Sequence, residues 1–132
     1  MDSAGRRELR RVADAGGVRI VSLNMPNIDL NIAGASQEMR DYSLGLVSGF
    51  IRLAGDLGAP GIIIGPGKAN PLFPAPREVL KGHFFRALDT LAPIAEQGGT
   101  RLLVENMPFA FPAGRRLADE HPGASTATTG SA

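Results

Sequence analysis

The 132-residue chain contains no cysteine and no tryptophan, one tyrosine and two histidines. Without thiols there are no disulfides, no zinc-thiolate centres and no cysteine nucleophile. The histidines do little to replace them. His83 falls inside a helical pattern, at the border of its apolar face, and His121 stands at the head of a weakly patterned tail, so neither follows a strand. No apolar run approaches the roughly 20 residues that span a bilayer. The segment Met1 to Arg7 has no apolar stretch after its charges, unlike a secretory signal. Neither sign of charge dominates: the formal net charge is +1, which demands neither nucleic acid nor an anionic membrane as partner. These absences lead to the expectation of a soluble, cytoplasmic protein.

What is present suits one globular domain. Apolar residues make up 43% and charged residues 20% of the chain, ordinary proportions for a folded protein, and the length is enough for a core. Three short β-branched runs stand out: Val18 to Leu23, Ile62 to Ile64 and Leu102 to Val104. They are near-continuous rather than alternating, the pattern of strands covered on both faces. Helical periods separate them. Met39, Tyr42, Leu46, Phe50, Leu53 and Leu57 recur every three or four residues and share one face of a helix. Ser36 is placed to cap that helix and Gly58 to end it. Gly45, Gly49 and Gly55 each weaken it by about 1 kcal/mol relative to alanine. Leu80, Phe84, Ala87, Leu88, Leu91 and Ala95 form a second apolar face, with Pro76 at its start, Pro93 expected to kink its end and Gly98-Gly99 as its stop. A further helix from about Arg6 to Ala15 precedes the first strand. Its arginines, Arg6, Arg7, Arg10 and Arg11, sit four apart and read as a solvated face rather than a nucleic-acid patch. The order α-β-α-β-α-β predicts a parallel sheet. Periodicity leaves open whether that sheet is doubly wound or part of a barrel.

The character changes after Pro112. Residues 1–112 read as the folded domain and 113–132 as a divergent tail. Its end, rich in Gly, Ala, Ser and Thr, is too poor in apolar residues to order itself.

In parallel α/β proteins chemistry collects where strands end at their carboxyl side. Those ends read Asn24-Met25-Pro26, Gly65-Pro66-Gly67-Lys68 and Glu105-Asn106-Met107-Pro108. The repeated Asn-Met-Pro suits two loops of a repeated βα unit. Glu105 directly follows the third strand, where a carboxylate can hold a divalent cation or take a proton from a carbon beside a carbonyl. A strand-capping Glu paired with Arg101 is the plainer alternative, and the spacing leaves both open. The glycine turn is no Walker loop, because Ile62 stands where the first glycine belongs and Ala69 where Ser or Thr belongs. It is no dinucleotide fingerprint either, since Asn70 occupies the third glycine position. It reads as a tight turn from which Lys68 can reach a phosphate or sugar oxygen as a point charge.

Several passages resemble one family. Asp14 to Asn24 is similar to the first-helix-to-second-strand passage of xylose isomerase-like TIM barrels. Leu53 to Ala59 and Leu91 to Glu96 resemble the ends of the next two helices, and Arg101 to Pro108 resembles the fourth strand. The resemblance runs from about Glu8 to Pro112. It implies part of a TIM (β/α) barrel, with about three parallel strands and flanking helices, where a full barrel takes about 250 residues. The activity it implies is that of a metal-dependent sugar or sugar-phosphate isomerase or epimerase, using Mn(II), Mg(II) or a similar cation. Glu105 would be the metal ligand and proton-transfer group, and Asn24, Asn106 and Lys68 the substrate contacts. Endonuclease IV-like relatives carry His-Pro-Gly where this chain has Gly65-Pro66-Gly67, which disfavours a metal-dependent nuclease. The alternative from another class is a non-catalytic fragment that self-associates through exposed sheet edges as a homo-oligomer.

Overall fold

The computed structural model describes residues 2–25, 30–68, 70, 72, 74–105 and, as backbone alone, 125–126. Helix α1 covers Ser3–Ala15 and starts at Asp2, whose carboxylate accepts the Gly5 N–H at 2.8 Å. None of its residues is buried. Three of its four arginines are paired with acids: Arg11 to Glu8 at 2.7 Å, Arg10 to Asp14 at 3.9 Å and Arg6 to Asp56 of the next helix at 2.7 Å. The helix is therefore a solvated rod held to its neighbour by charge more than by apolar burial.

Helix α2, Gln37–Asp56, begins where Ser36 accepts the Met39 N–H at 3.3 Å. Past its end Gly58 takes φ +69°, which lets its N–H bond the Gly55 carbonyl and the Ala59 N–H bond that of Ala54. That left-handed step is strained for a side chain bearing Cβ. Helix α3, Arg77–Gln97, follows Pro76 and continues through Pro93. Gly99 at φ +65° closes it in the same way, sending Thr100 N–H to the Ala95 carbonyl at 3.0 Å.

Among the described residues four parallel strands lie in sequence order: β1 (Leu23–Asn24), β2 (Gly61–Ile64), β3 (Arg101–Val104) and β4 (Ser125–Thr126). Ile62 and Ile64 of β2 and Leu102 and Val104 of β3 are buried against the helices, together with Val47, Ile51 and Ala54 of α2 and Phe84, Leu88 and Leu91 of α3. Full burial of one such aliphatic side chain contributes about 1.5–3 kcal/mol, so this layer is where the fold's stability resides. The alternate residues, Ile63 and Leu103, face away from the helices and are only half-buried. Consecutive parallel strands with helices on one face and a half-open second face make a segment of a TIM barrel's wall.

The structure departs from the sequence expectations in two places. The buried face of α2 is Ser43, Val47, Ile51 and Ala54, while Met39, Tyr42 and Leu46 of the expected stripe are exposed. The helix is turned about one residue because Ser43 lies inward, fully buried, and accepts the Asn31 N–H at 3.0 Å. The first strand is shorter than Val18 to Leu23. Only Leu23 and Asn24 pair with β2, and Val18 and Val21 are each 61% exposed. Within residues 113–132, Ser125 and Thr126 pair with Leu103 and Val104. The rest of 113–132 lies outside the described residues.

Candidate functional site

The carboxyl ends of the strands are aligned by their register. Asn24 is level with Ile63, which is level with Leu103. Residues level with one another in a parallel sheet point to the same face, and side chains alternate along a strand. Asn24 and Glu105, two residues beyond Leu103, thus share the face turned away from the helices. They stand two strands apart, about 10 Å across the sheet. Both are exposed. The Glu105 N–H donates to the Ile64 carbonyl at 2.9 Å, continuing the β2–β3 ladder one residue past the strand. This bond fixes the backbone from which the carboxylate projects. Among the described residues Arg101 and Glu105 are not ion-paired. Four residues along a strand separates their Cα atoms by about 13 Å.

Lys68 ends the glycine turn after β2 and is exposed, whereas Gly65, Pro66 and Gly67 are buried. What holds this turn is Asn31, a residue that motif reading passed over. Its Nδ2 donates to the Lys68 carbonyl at 2.6 Å, its Oδ1 accepts the Ala33 N–H at 3.1 Å, and its own N–H goes to Ser43 Oγ. Gly67 stands at φ +92°, and a Cβ there would come within 2.6 Å of Asn31 Oδ1; one on Gly34 would come within 3.1 Å of Asn31 Cγ. Two glycines therefore flank one amide, and the loop after β1 is bonded to the loop after β2. The Asn31-to-Ala33 bond is an Asx turn, a pattern Asn adopts readily, and was the one local signal of this role. Asn106 lies outside the described residues.

His83 is half-buried on α3, with Nδ1 2.6 Å from Arg86 Nη2. Partial burial, then the charges of Arg40 and Arg86, hold its imidazole below the ordinary range. It is on a helix and away from the strand ends, as its position in the sequence suggested.

A cleft of about 280 Å³, lined by Arg10, Asp14, Arg19, Leu57 and Gly58 among others, opens where helices end and strands begin. In parallel α/β architectures that end serves stability and the opposite end serves chemistry, so the strand mouth is the candidate site. Among the described residues no three His, Cys, Asp or Glu side chains gather closely enough to hold a metal ion. Among the described residues the mouth supplies one carboxylate, an incomplete donor set for a divalent cation, which takes six or more oxygens. Also among the described residues, no helix is long and apolar enough to cross a membrane.

A family model described as xylose isomerase-like TIM barrel matches residues 1–121. Similar solved structures include D-psicose 3-epimerase from Clostridium cellulolyticum with D-tagatose, at TM-score 0.74 and 13% identity, over 96% of this chain and 48% of that one. The 3-keto-D-glucoside 4-epimerase of E. coli superposes at TM-score 0.67 and 16% identity, over 80% of this chain and 42% of that one. A Thermus thermophilus protein soaked with zinc chloride gives TM-score 0.68 and 25% identity, over 93% of this chain and 50% of that one. The chain thus spans half or less of the length of these structures. No curated protein matches it in sequence.

Proposed function

Because this chain belongs to the xylose isomerase-like TIM barrel family, we propose that its strand mouth serves a sugar or sugar-phosphate isomerase or epimerase, with Glu105 as the proton-transfer carboxylate. The observation that carries the proposal is the placement of Glu105. It is the one titratable carboxylate among the described residues that follows a strand directly, bonded through its backbone to Ile64 and facing the side away from the helices. A carboxylate there can take the proton from a sugar carbon beside the carbonyl, leaving the electron pair in an enediolate. Return of a proton to the opposite face gives the epimer, a step that needs a second acid beside Glu105. Asn24, on the same face, offers an amide to sugar hydroxyls, and Lys68 a charge to an anionic substituent. Asn106 would be a second amide beside the carboxylate.

The resemblance to this family also implies a divalent cation. The described residues do not by themselves fit a divalent cation. Glu105 would be one hard-oxygen ligand for Mn(II) or Mg(II), and such a site would need further ligands beyond the described set. The test is product analysis by NMR after incubating ketoses with the protein, with and without Mn(II). Formation of an epimer or aldose that disappears in Glu105→Gln is the expected result, and equal turnover by that variant would contradict it.

A second reading has its own observation. The outer edge of β1 is unpaired among the described residues, and Val18 and Val21, in the segment that leads into it, are exposed. An open apolar edge favours pairing with another copy. In that reading the chain is a self-associating, non-catalytic protein. Sedimentation of wild type and Val21→Lys decides it: a concentration-dependent oligomer in the wild type alone supports self-association, and monomers in both exclude it.

A further inference from the structure

Helix α2 has an outward face that the described residues leave uncovered. Its buried residues, Ser43, Val47, Ile51 and Ala54, form one side. At about 100° per residue, Gly45 and Gly49 fall on the opposite side. A Cβ on either glycine would meet nothing within 4 Å. Tyr42, 62% exposed, and Leu46 run along one flank of this glycine line. Asp41 and Arg52, both exposed, run along the other. About three turns separate that acid from that base, which puts them on one line along the helix. Among the described residues neither is ion-paired. Extending the sheet at either edge would not cover this side of α2, because it is turned away from the sheet.

The face is complementary to itself. Let a second α2 cross the glycine line antiparallel, about a twofold axis. The axis exchanges the ends of the helix and keeps each flank on its own side. Asp41 of one copy then stands over Arg52 of the other, twice, and Leu46 meets Leu46. Parallel helices would instead set Asp41 on Asp41 and Arg52 on Arg52. Glycines at the crossing let the helices reach the short end of the usual spacing, roughly 8–10 Å.

We propose that the outward face of α2 docks a second copy of this chain, the two helices pairing antiparallel across Gly45 and Gly49 with Asp41 and Arg52 joined at each end. This contact is separate from the edge of β1 and does not depend on the reaction at the strand mouth. One helix from each copy buries less than about 1,200 Å², the range of transient contacts. The dimer is therefore weak, with Kd on the order of 100 μM. Well below that concentration the chain is a monomer, so the stability of the single copy can be measured apart from pairing.

Sedimentation equilibrium of the full chain, from well below to well above that concentration, is the test. The wild type should pass from monomer to dimer. Arg52→Asp should weaken the dimer about 10-fold, because two attractive pairs become repulsive. Asp41→Arg should do the same, and the double variant Asp41→Arg/Arg52→Asp should regain the wild-type Kd. Gly45→Leu should remove the dimer by holding the helices apart. Its thermal midpoint as a monomer should not fall, since leucine is the better helix former and has open space there. Val21→Lys, at the other candidate surface, should dimerise as the wild type does.

Recovery of pairing in the double charge variant, with loss in Gly45→Leu, supports the assignment. A monomer at every concentration overturns it. An oligomer lost in Val21→Lys but kept in Gly45→Leu and Arg52→Asp also overturns it, and gives the contact to the β1 edge instead.

Discussion

Glu105 donates its backbone N–H to the carbonyl of Ile64 at 2.9 Å, so the first residue beyond β3 is still held by the ladder. A side chain on such a residue inherits the sheet's rigidity while leaving its packing. Buried Val104 precedes it and exposed Glu105 follows, marking the boundary between the stabilising layer and the candidate site. Glu105→Gln should therefore change stability by less than about 0.5 kcal/mol, the ordinary range for an exposed substitution. Urea unfolding of the two proteins checks this.

The glycines of α2 separate into two kinds. A Cβ on Gly45 or Gly49 would meet nothing within 4 Å, whereas one on Gly55 would come within 2.7 Å of the Gly98 carbonyl at the end of α3. Gly45→Ala and Gly49→Ala should each stabilise the protein by about 0.5–1 kcal/mol. Gly55→Ala should destabilise it by about 1–3 kcal/mol, because backbone must move to admit the methyl. Thermal midpoints of the three variants, moving in these opposite directions, are the readout.

Ile51 is fully buried between α2 and the sheet, in the same cluster as Ile62. Truncation to alanine leaves a cavity and should cost about 2–5 kcal/mol. For a chain of this size that loss is a large share of total stability. Met39→Ala, on the exposed side of the same helix, should cost well under about 1 kcal/mol. The contrast in chemical denaturation tests the observed orientation of α2 against the one read from its apolar spacing.

His83 sets a pH dependence. Its folded-state pKa lies below the ordinary value, first through partial burial and then through the Arg40 and Arg86 charges. The unfolded chain therefore binds the proton more readily. The contribution is fully present above about pH 6.5 and declines as pH falls through the folded-state value. Stability measured between pH 7 and 5 should drop in the wild type, and His83→Gln should flatten that part of the profile. Glu38 acts at lower pH: its own backbone N–H, then Ser36, hold its carboxyl below the ordinary value, so its contribution is lost only as pH falls below about 4.

Much of the fold was legible because local signals and tertiary packing agree. Ser36 and Gly58 bound α2 as expected, and on α3 the residues Phe84, Ala87, Leu88, Leu91 and Ala95 are the buried ones. Agreement failed at Ser43, a polar residue whose burial is stabilised by its bond to Asn31. Apolar spacing cannot register such a position, so it points to the stripe Met39, Tyr42, Leu46 as the buried face. The extent of β1 was overestimated because β-branched composition reports propensity, while the length of an edge strand depends on its partner. The positions of Asn24, Lys68 and Glu105 at strand ends were legible in the sequence. Asn31 was not, because its role is made by three hydrogen bonds and by two glycines from different loops, which no single motif contains.

The most direct test of the role assigned to Glu105 is incorporation of deuterium from D2O into ketoses and ketose phosphates, followed by proton NMR at the carbon beside the carbonyl. Proton abstraction by Glu105 predicts exchange by the wild-type chain and a loss of about 100-fold or more in Glu105→Gln, the usual contribution of a positioned general base. Absence of exchange by the wild type, or exchange at the same rate in the variant, would contradict it.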